Sequence, residues 1–324
     1  MQRLAYLRPD GFALALVAAV ALASLLPGRG EGAALVAGAA NLAIGLLFFL
    51  HGARLTRAAA LAGAVHWRLH LAVLGATFLL FPLLGLLLQP LLAGLMPPAL
   101  VLGVLFLCAL PSTVQSSVAF TSIAGGNVPA AVFSASTSSM LGTVLTPLLI
   151  GLLAQVHGGG PAMASVRPIL LQLLAPFLLG QLLHPRIGGW SRRHARLLGL
   201  VDRGSILLIV YAAFGEAVAG GLWRQLSPAA LALLAAVDAG LLIVALFLTT
   251  WGSRRLGFSR ADEITIVFCG SKKSMAIGIP MAGLLFAGRS VGMIVLPVML
   301  FHQIQLFVCA MLARRYAGAP IAGP

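Results

Sequence analysis

Charge is what this chain has least of. Only 9% of its 324 residues are charged, against about 25% in a typical soluble domain. Acids are scarcest, with seven Asp and Glu facing 21 Lys and Arg. A soluble domain cannot bury the 60% of residues that are hydrophobic, so a water-soluble enzyme is excluded. Disorder is excluded too, because disordered chains are polar and charge-rich. Cysteine is nearly missing. Cys108, Cys269 and Cys309 stand in apolar stretches without CxxC spacing, so neither a metal site nor a disulfide framework is indicated. The first apolar stretch ends at Pro27 without a cleavage site of A-x-A type, and it reads as a retained span.

What fills the chain instead is a series of apolar runs. About 20 apolar residues make one span. Ten segments can be drawn, roughly 11–28, 33–52, 68–90, 97–124, 128–155, 165–185, 198–222, 226–252, 261–286 and 290–314. The joins carry Pro27-Gly28, Pro97-Pro98, Gly125-Gly126-Asn127 and Gly158-Gly159-Gly160-Pro161. The expected fold class is an all-α polytopic membrane protein with ten transmembrane helices. The net charge of +14 fits that class without any nucleic-acid partner, because cytoplasmic loops collect basic residues during insertion. With the N-terminus inside, fifteen arginines fall on the cytoplasmic side, from Arg3 and Arg8 to Arg314 and Arg315. Only Arg29, Arg167, Arg224 and Arg289 fall outside. Both termini are therefore placed in the cytoplasm, in what the short loops suggest is a bacterial inner membrane. Five spans on each side of His157 give two halves of opposite orientation, the inverted-repeat plan of secondary transporters.

Two spans do not read as continuous helices. In span four, Pro111 is followed by Ser112, Thr113, Gln115, Ser116, Ser117, Thr121 and Ser122. A mid-helix proline frees carbonyls that must find partners in lipid, and hydroxyls and an amide are such partners. They are also oxygen ligands for a cation. In span nine the centre is Gly270-Ser271-Lys272-Lys273-Ser274, and these are the only two lysines in the chain. A lysine at that depth costs about 2.5–3.5 kcal/mol on insertion scales, tolerable only against a polar cavity or a partner. Both interrupted spans are fourth in their half, where broken helices build a substrate and ion site. Other candidates are Asn41 in span two, Asp238 in span eight as a partner for Lys272 or Lys273, and His302 and Gln303 in span ten, with Gln305 close by.

These motifs resemble the bile acid:sodium symporter superfamily, solute carrier family ten, and within it a bacterial branch related to the seventh human member. The resemblance rests on ALPSTVQSSVAFTSIAGGNVPAA (Ala109–Ala131), FCGSKKSMAIGIPM (Phe268–Met281), LPVMLFHQIQL (Leu296–Leu306) and FFLHGARL (Phe48–Leu55), and it runs along the whole chain. It implies broken helices four and nine that cross, a panel domain over 11–67 and 165–222, and a core domain over 68–155 and 226–316. Substrate then binds between the two domains.

The family's sodium ligands map onto Ser116 and Ser117, onto the neighbourhood of Ser134, Ser136 and Thr137, onto Val267 where a glutamate is usual, onto Thr77 where a glutamine is usual, and onto Ser271. The usual acid and amide are thus absent, and lysines at the crossing repel sodium. At about 4 Å and an effective dielectric near 20, two like charges cost about 4 kcal/mol. A buried ammonium can stand in for the metal ion, which makes proton coupling or no coupling as good an expectation as sodium coupling.

The reading is a secondary transporter of a small organic anion, bile-acid-like or another carboxylate or sulfonate. It has the bilayer as its surroundings, no catalytic residues and no cofactor. Its rivals are a non-transporting regulatory or binding membrane protein and a cation/proton antiporter. An intramembrane serine–lysine enzyme has little in its favour.

Overall fold

The computed structural model describes residues 11–54, 66–155 and 163–318. Arg3, Arg8 and Arg57 lie outside the described residues, as does the glycine-rich join at 158–161. Among the described residues the structure is helical and no strand forms. In chain order the helices are α1 (Gly11–Leu25), α2 (Gly30–Arg54), α3 (Trp67–Leu92), α4 (Pro98–Ala109), α5 (Val114–Ile123), α6 (Val128–Gln155), α7 (Met163–Arg193), α8 (Ala195–Ala219), the short α9 (Leu222–Gln225), α10 (Pro228–Arg255), α11 (Arg260–Gly270), α12 (Met275–Leu285) and α13 (Val291–Gly318). Six of them, α2, α3, α6, α8, α10 and α13, are long and apolar enough to cross a membrane alone, and the bent pair α4–α5 makes a seventh.

Both interruptions read from the sequence are present. α4 stops at Ala109, Leu110 turns extended, and α5 leaves at 59° to α4. Span nine divides into α11 and α12 around residues 271–274. Other boundaries differ from the sequence reading. α7 continues to Arg193, past the apolar stretch that was expected to end near residue 185. Apolar length marks membrane depth, and a helix can run on into the polar interface with its backbone bonds still internal. α9 is an extra turn between spans seven and eight.

α2 packs on α7 and α8, and α1 packs on α8, while α7 also packs on α6, and α8 on α12 and α13. The tightest crossing joins α2 to α7. Gly52 faces the carbonyl of Phe177, and Gly180 faces the carbonyl of Phe49, with no room for a methyl on either glycine. Small residues let membrane helices approach this closely. At the arginine-rich end, α10, α11 and α13 are tied by a fork. Arg254 donates to both carboxylate oxygens of Glu263 at 2.9 and 3.0 Å, and Tyr316 donates to the same group at 2.9 Å. Asp262 accepts from Asn127 at 3.0 Å, fastening the α5–α6 turn to the start of α11.

Candidate functional site

The two breaks meet. The Ser274 N–H donates to the Pro111 carbonyl at 2.8 Å, so each interruption satisfies a backbone group of the other. Hydroxyls take up several more, as lipid demands. Ser138 accepts from the Ser112 N–H at 3.0 Å, and Thr146 donates to the Ala109 carbonyl at 2.8 Å. Ser117 donates to the Phe268 carbonyl at 3.1 Å, and Ser271 to the Val267 carbonyl at 2.6 Å.

Lys273 lies at the junction. Its Nζ donates to the carbonyls of Thr77 (2.9 Å), Cys108 (3.0 Å) and Leu110 (2.8 Å) and sits 4.1 Å from the Phe81 ring centroid. Proline frees two of these carbonyls. α3 contains a π-helical turn, Ala76–Leu80, in which the Phe81 N–H reaches back to Ala76. In that register Thr77 awaits residue 82, which is Pro82 and has no N–H. Cys108 loses its partners because residue 111 is proline and the Ser112 N–H has turned to Ser138. The lysine backbone is held as well. Its N–H donates to Gln305 Oε1 at 2.9 Å, its carbonyl accepts from Gln305 Nε2 at 3.0 Å, and that nitrogen lies 3.0 Å from His302 Nδ1.

A cleft of about 680 Å³ opens beside this junction. On one wall are Thr113, Gln115 and Ser116 from the first turn of α5, and Ser274 to Ile277 from the first turn of α12. His51, Arg54, Arg196 and Arg203 stand on the other side. Leu47, Phe48, Met140, Phe177 and Ile206 supply apolar surface. Among the described residues the single acid lining it, Asp202, is ion-paired to Arg54. A second cavity of about 490 Å³ lies toward the other end of α2, lined by Asn41, Ile44, Ile209, Tyr211 and Glu216 among others.

The sequence candidates are therefore split. Thr113, Gln115, Ser116, Ser274 and His302 line the cleft. Ser112, Ser117, Ser271, Thr77, Lys272 and Lys273 are fully or nearly fully buried behind it. Ser117 thus does not share the cleft wall with Ser116, because successive helical positions point about 100° apart. Nor do the lysines face a polar cavity, and their relief comes from carbonyls and aromatic faces. Ser134 is bonded to His70 at 2.6 Å and does not line the cleft. Asn41 belongs to the second cavity, and Gln303 lines neither.

The expected pairing of Asp238 with a lysine is corrected. Asp238 is fully buried and neither oxygen has a hydrogen-bond partner. Lys273 reaches the nearer carbonyls instead. The residues that sequence reasoning left out of the site are Gln305, which was noted but not chosen, and the rim of His51, Arg54, Arg196, Asp202 and Arg203. Asp202 was the available signal, as a lone acid in an arginine-rich stretch of the sequence.

This arrangement defines a polytopic membrane protein with a solute-sized cleft at the meeting of two broken helices. The model of the SBF-like CPA transporter family matches residues 10–318. The chain is 58% identical to an uncharacterized protein of Pseudomonas aeruginosa over 95% of its own length and 93% of the relative's. It is 52% identical to YfeH of Escherichia coli, named as a candidate symporter, over 95% and 92%. It is 29% identical to sodium/bile acid cotransporter 7 of the rat over 96% and 94%. The chain belongs to the SBF-like CPA transporter family and is an integral membrane protein.

Proposed function

We propose that the chain is a secondary transporter of an amphipathic organic anion, a carboxylate or a sulfonate. The lining of the larger cleft carries this reading. Two helix N-termini, each with a partial positive charge, converge on one wall, and three arginines and a histidine stand opposite. The only acid there among the described residues is already neutralised by Arg54. Aliphatic and aromatic side chains suit an apolar body, in a cavity within the usual ligand range of about 300–1,000 Å³. No cofactor and no catalytic group enters this reading.

The finer architecture belongs to the same proposal. It comprises ten spans in two inverted five-span repeats, a panel domain (11–67, 165–222) moving against a core domain (68–155, 226–316), and cytoplasmic termini in a bacterial inner membrane. The arginine asymmetry supports it, as does the matching fourth position of the two breaks. A reporter fused after Pro324 is expected to be active only as a cytoplasmic fusion, and periplasmic activity refutes that topology. Coupling is to protons or absent, because Val267 stands where an acid ligand for sodium is usual.

The test is a thermal-shift screen of the purified protein against amphipathic carboxylates and sulfonates, in sodium and in choline media, across pH. Stabilisation equal in both media is expected. A strict sodium requirement, or no response to any anion, overturns the reading. In the same assay Arg196→Gln is expected to weaken anion binding about tenfold, with the largest loss at low salt because the guanidinium is exposed. Unchanged affinity removes the rim from the site.

A further inference from the structure

The smaller cavity, of about 490 Å³, is built differently from the cleft. Most of its wall is alanine and glycine. On α2 the lining positions Ala33, Ala37, Ala40 and Ile44 recur every three or four residues and so share one helix face, where small side chains leave the space open. Among the described residues that line it none is basic, and three have polar side chains, Asn41, Tyr211 and Glu216. Arg29 and Arg289 neighbour lining glycines in sequence without lining the cavity themselves.

The three polar groups offer acceptors. The Tyr211 hydroxyl donates its hydrogen to the Leu26 carbonyl at 2.8 Å, which leaves only lone pairs for a ligand. The Glu216 carboxylate accepts and never donates, and among the described residues it has no hydrogen bond and no ion pair. It differs in this from Asp202, Asp262 and Glu263, which are bonded to Arg54, Asn127 and Arg254. The Asn41 carboxamide adds one more oxygen. A wall of acceptors with one uncompensated negative charge takes a cation with hydrogen-bond donors or an alkylated nitrogen, and repels an anion. A bare metal ion suits it poorly, because hard cations gather several oxygens at once and most of this surface is methyl groups. An organic ammonium suits both parts, its head on Glu216 and its apolar body against the alanine face.

We propose that the smaller cavity is a binding site for an organic cation, an amine or quaternary ammonium with a short apolar body, and that Glu216 is its counter-ion. The site does not rest on the transport reading above. On that reading, a cation seated there also cancels the charge that repels an anion from this chamber.

The test titrates hexyltrimethylammonium calorimetrically into the purified protein, with hexanesulfonate as a probe of the same chain and opposite head. Saturable binding of the ammonium is expected, and the sulfonate should not displace it. Glu216→Gln keeps the shape of an exposed side chain and should weaken ammonium binding about tenfold or more. Ala37→Leu, which fills the cavity, should weaken it as well. Glu31→Gln removes an exposed acid on the same end of α2 that does not line the cavity, and should leave binding unchanged. The site is overturned if the ammonium shows no saturable binding, if the sulfonate displaces it, if Ala37→Leu folds and binds as wild type does, or if the Glu31 variant loses as much as the Glu216 variant, which would mean surface charge alone. If Ala37→Leu does not fold, the two glutamate variants decide. A failed anion screen removes the transport reading and leaves this comparison standing.

Discussion

Lys273→Met is expected to lower stability by about 3 kcal/mol or more, which in a chain of this size is a fall in melting midpoint on the order of 10 °C. The substitution deletes three charge-assisted hydrogen bonds and leaves the carbonyls of Thr77, Cys108 and Leu110 buried without a donor. Each orphaned carbonyl costs about 1–3 kcal/mol. Removing a buried charge offsets part of this, but the backbone dipoles cannot be removed with it, so the loss dominates. These carbonyls also belong to three different places, the π-helical turn of α3, the end of α4 and the extended link to α5. The lysine therefore fastens α3, the end of α4 with its link to α5, and the break of span nine at one point. Thermal melts of purified wild type and variant decide the matter, and a midpoint within about 1 °C of wild type sinks the assignment.

Gly180→Leu is expected to give no monodisperse folded protein, and Gly180→Ala to melt about 10 °C below wild type. On an open helix face, alanine in place of glycine stabilises by up to about 1 kcal/mol. The sign inverts here because the space beyond the Cα is filled by the Phe49 carbonyl of α2, a backbone atom that cannot rotate away. Relief requires moving two long helices apart, and Gly52 makes the reciprocal contact at Phe177. Size-exclusion profiles and melts of the two variants test this. An alanine variant as stable as wild type shows that the helices separate without cost.

The features legible in the sequence were those that break a pattern. Pro111 within an apolar run announced the first interruption, and the Lys272–Lys273 pair announced the second. The side-chain assignments were harder because these helices are apolar all round. Without an amphipathic period, nothing in the sequence says which way a residue points. For that reason Asp238 was matched to the lysines by depth alone, and Ser117 was grouped with its neighbour Ser116. Gln305 was passed over for Gln303 for the same reason, since only the helix phase sends residue 305 to the Lys273 backbone. The carbonyl cradle was beyond reach from sequence, because main-chain oxygens carry no residue signature. Pro82 five positions after Thr77 and Pro111 three after Cys108 were its traces.

The two cavities come close to touching. On α2, Ile44 borders one and Leu47 the other, and on α8 Ile209 and Ile206 do the same. Each pair is three residues apart, about 4.5 Å along a helix. Along α2 and α8 the layer between the two cavities is thus about one helical turn thick and aliphatic. On the transport reading proposed above, a relative slide of about a single turn is expected to hand a solute from one chamber to the other. Trimming those four side chains to alanine is expected to turn the partition into a leak, read as solute efflux from proteoliposomes.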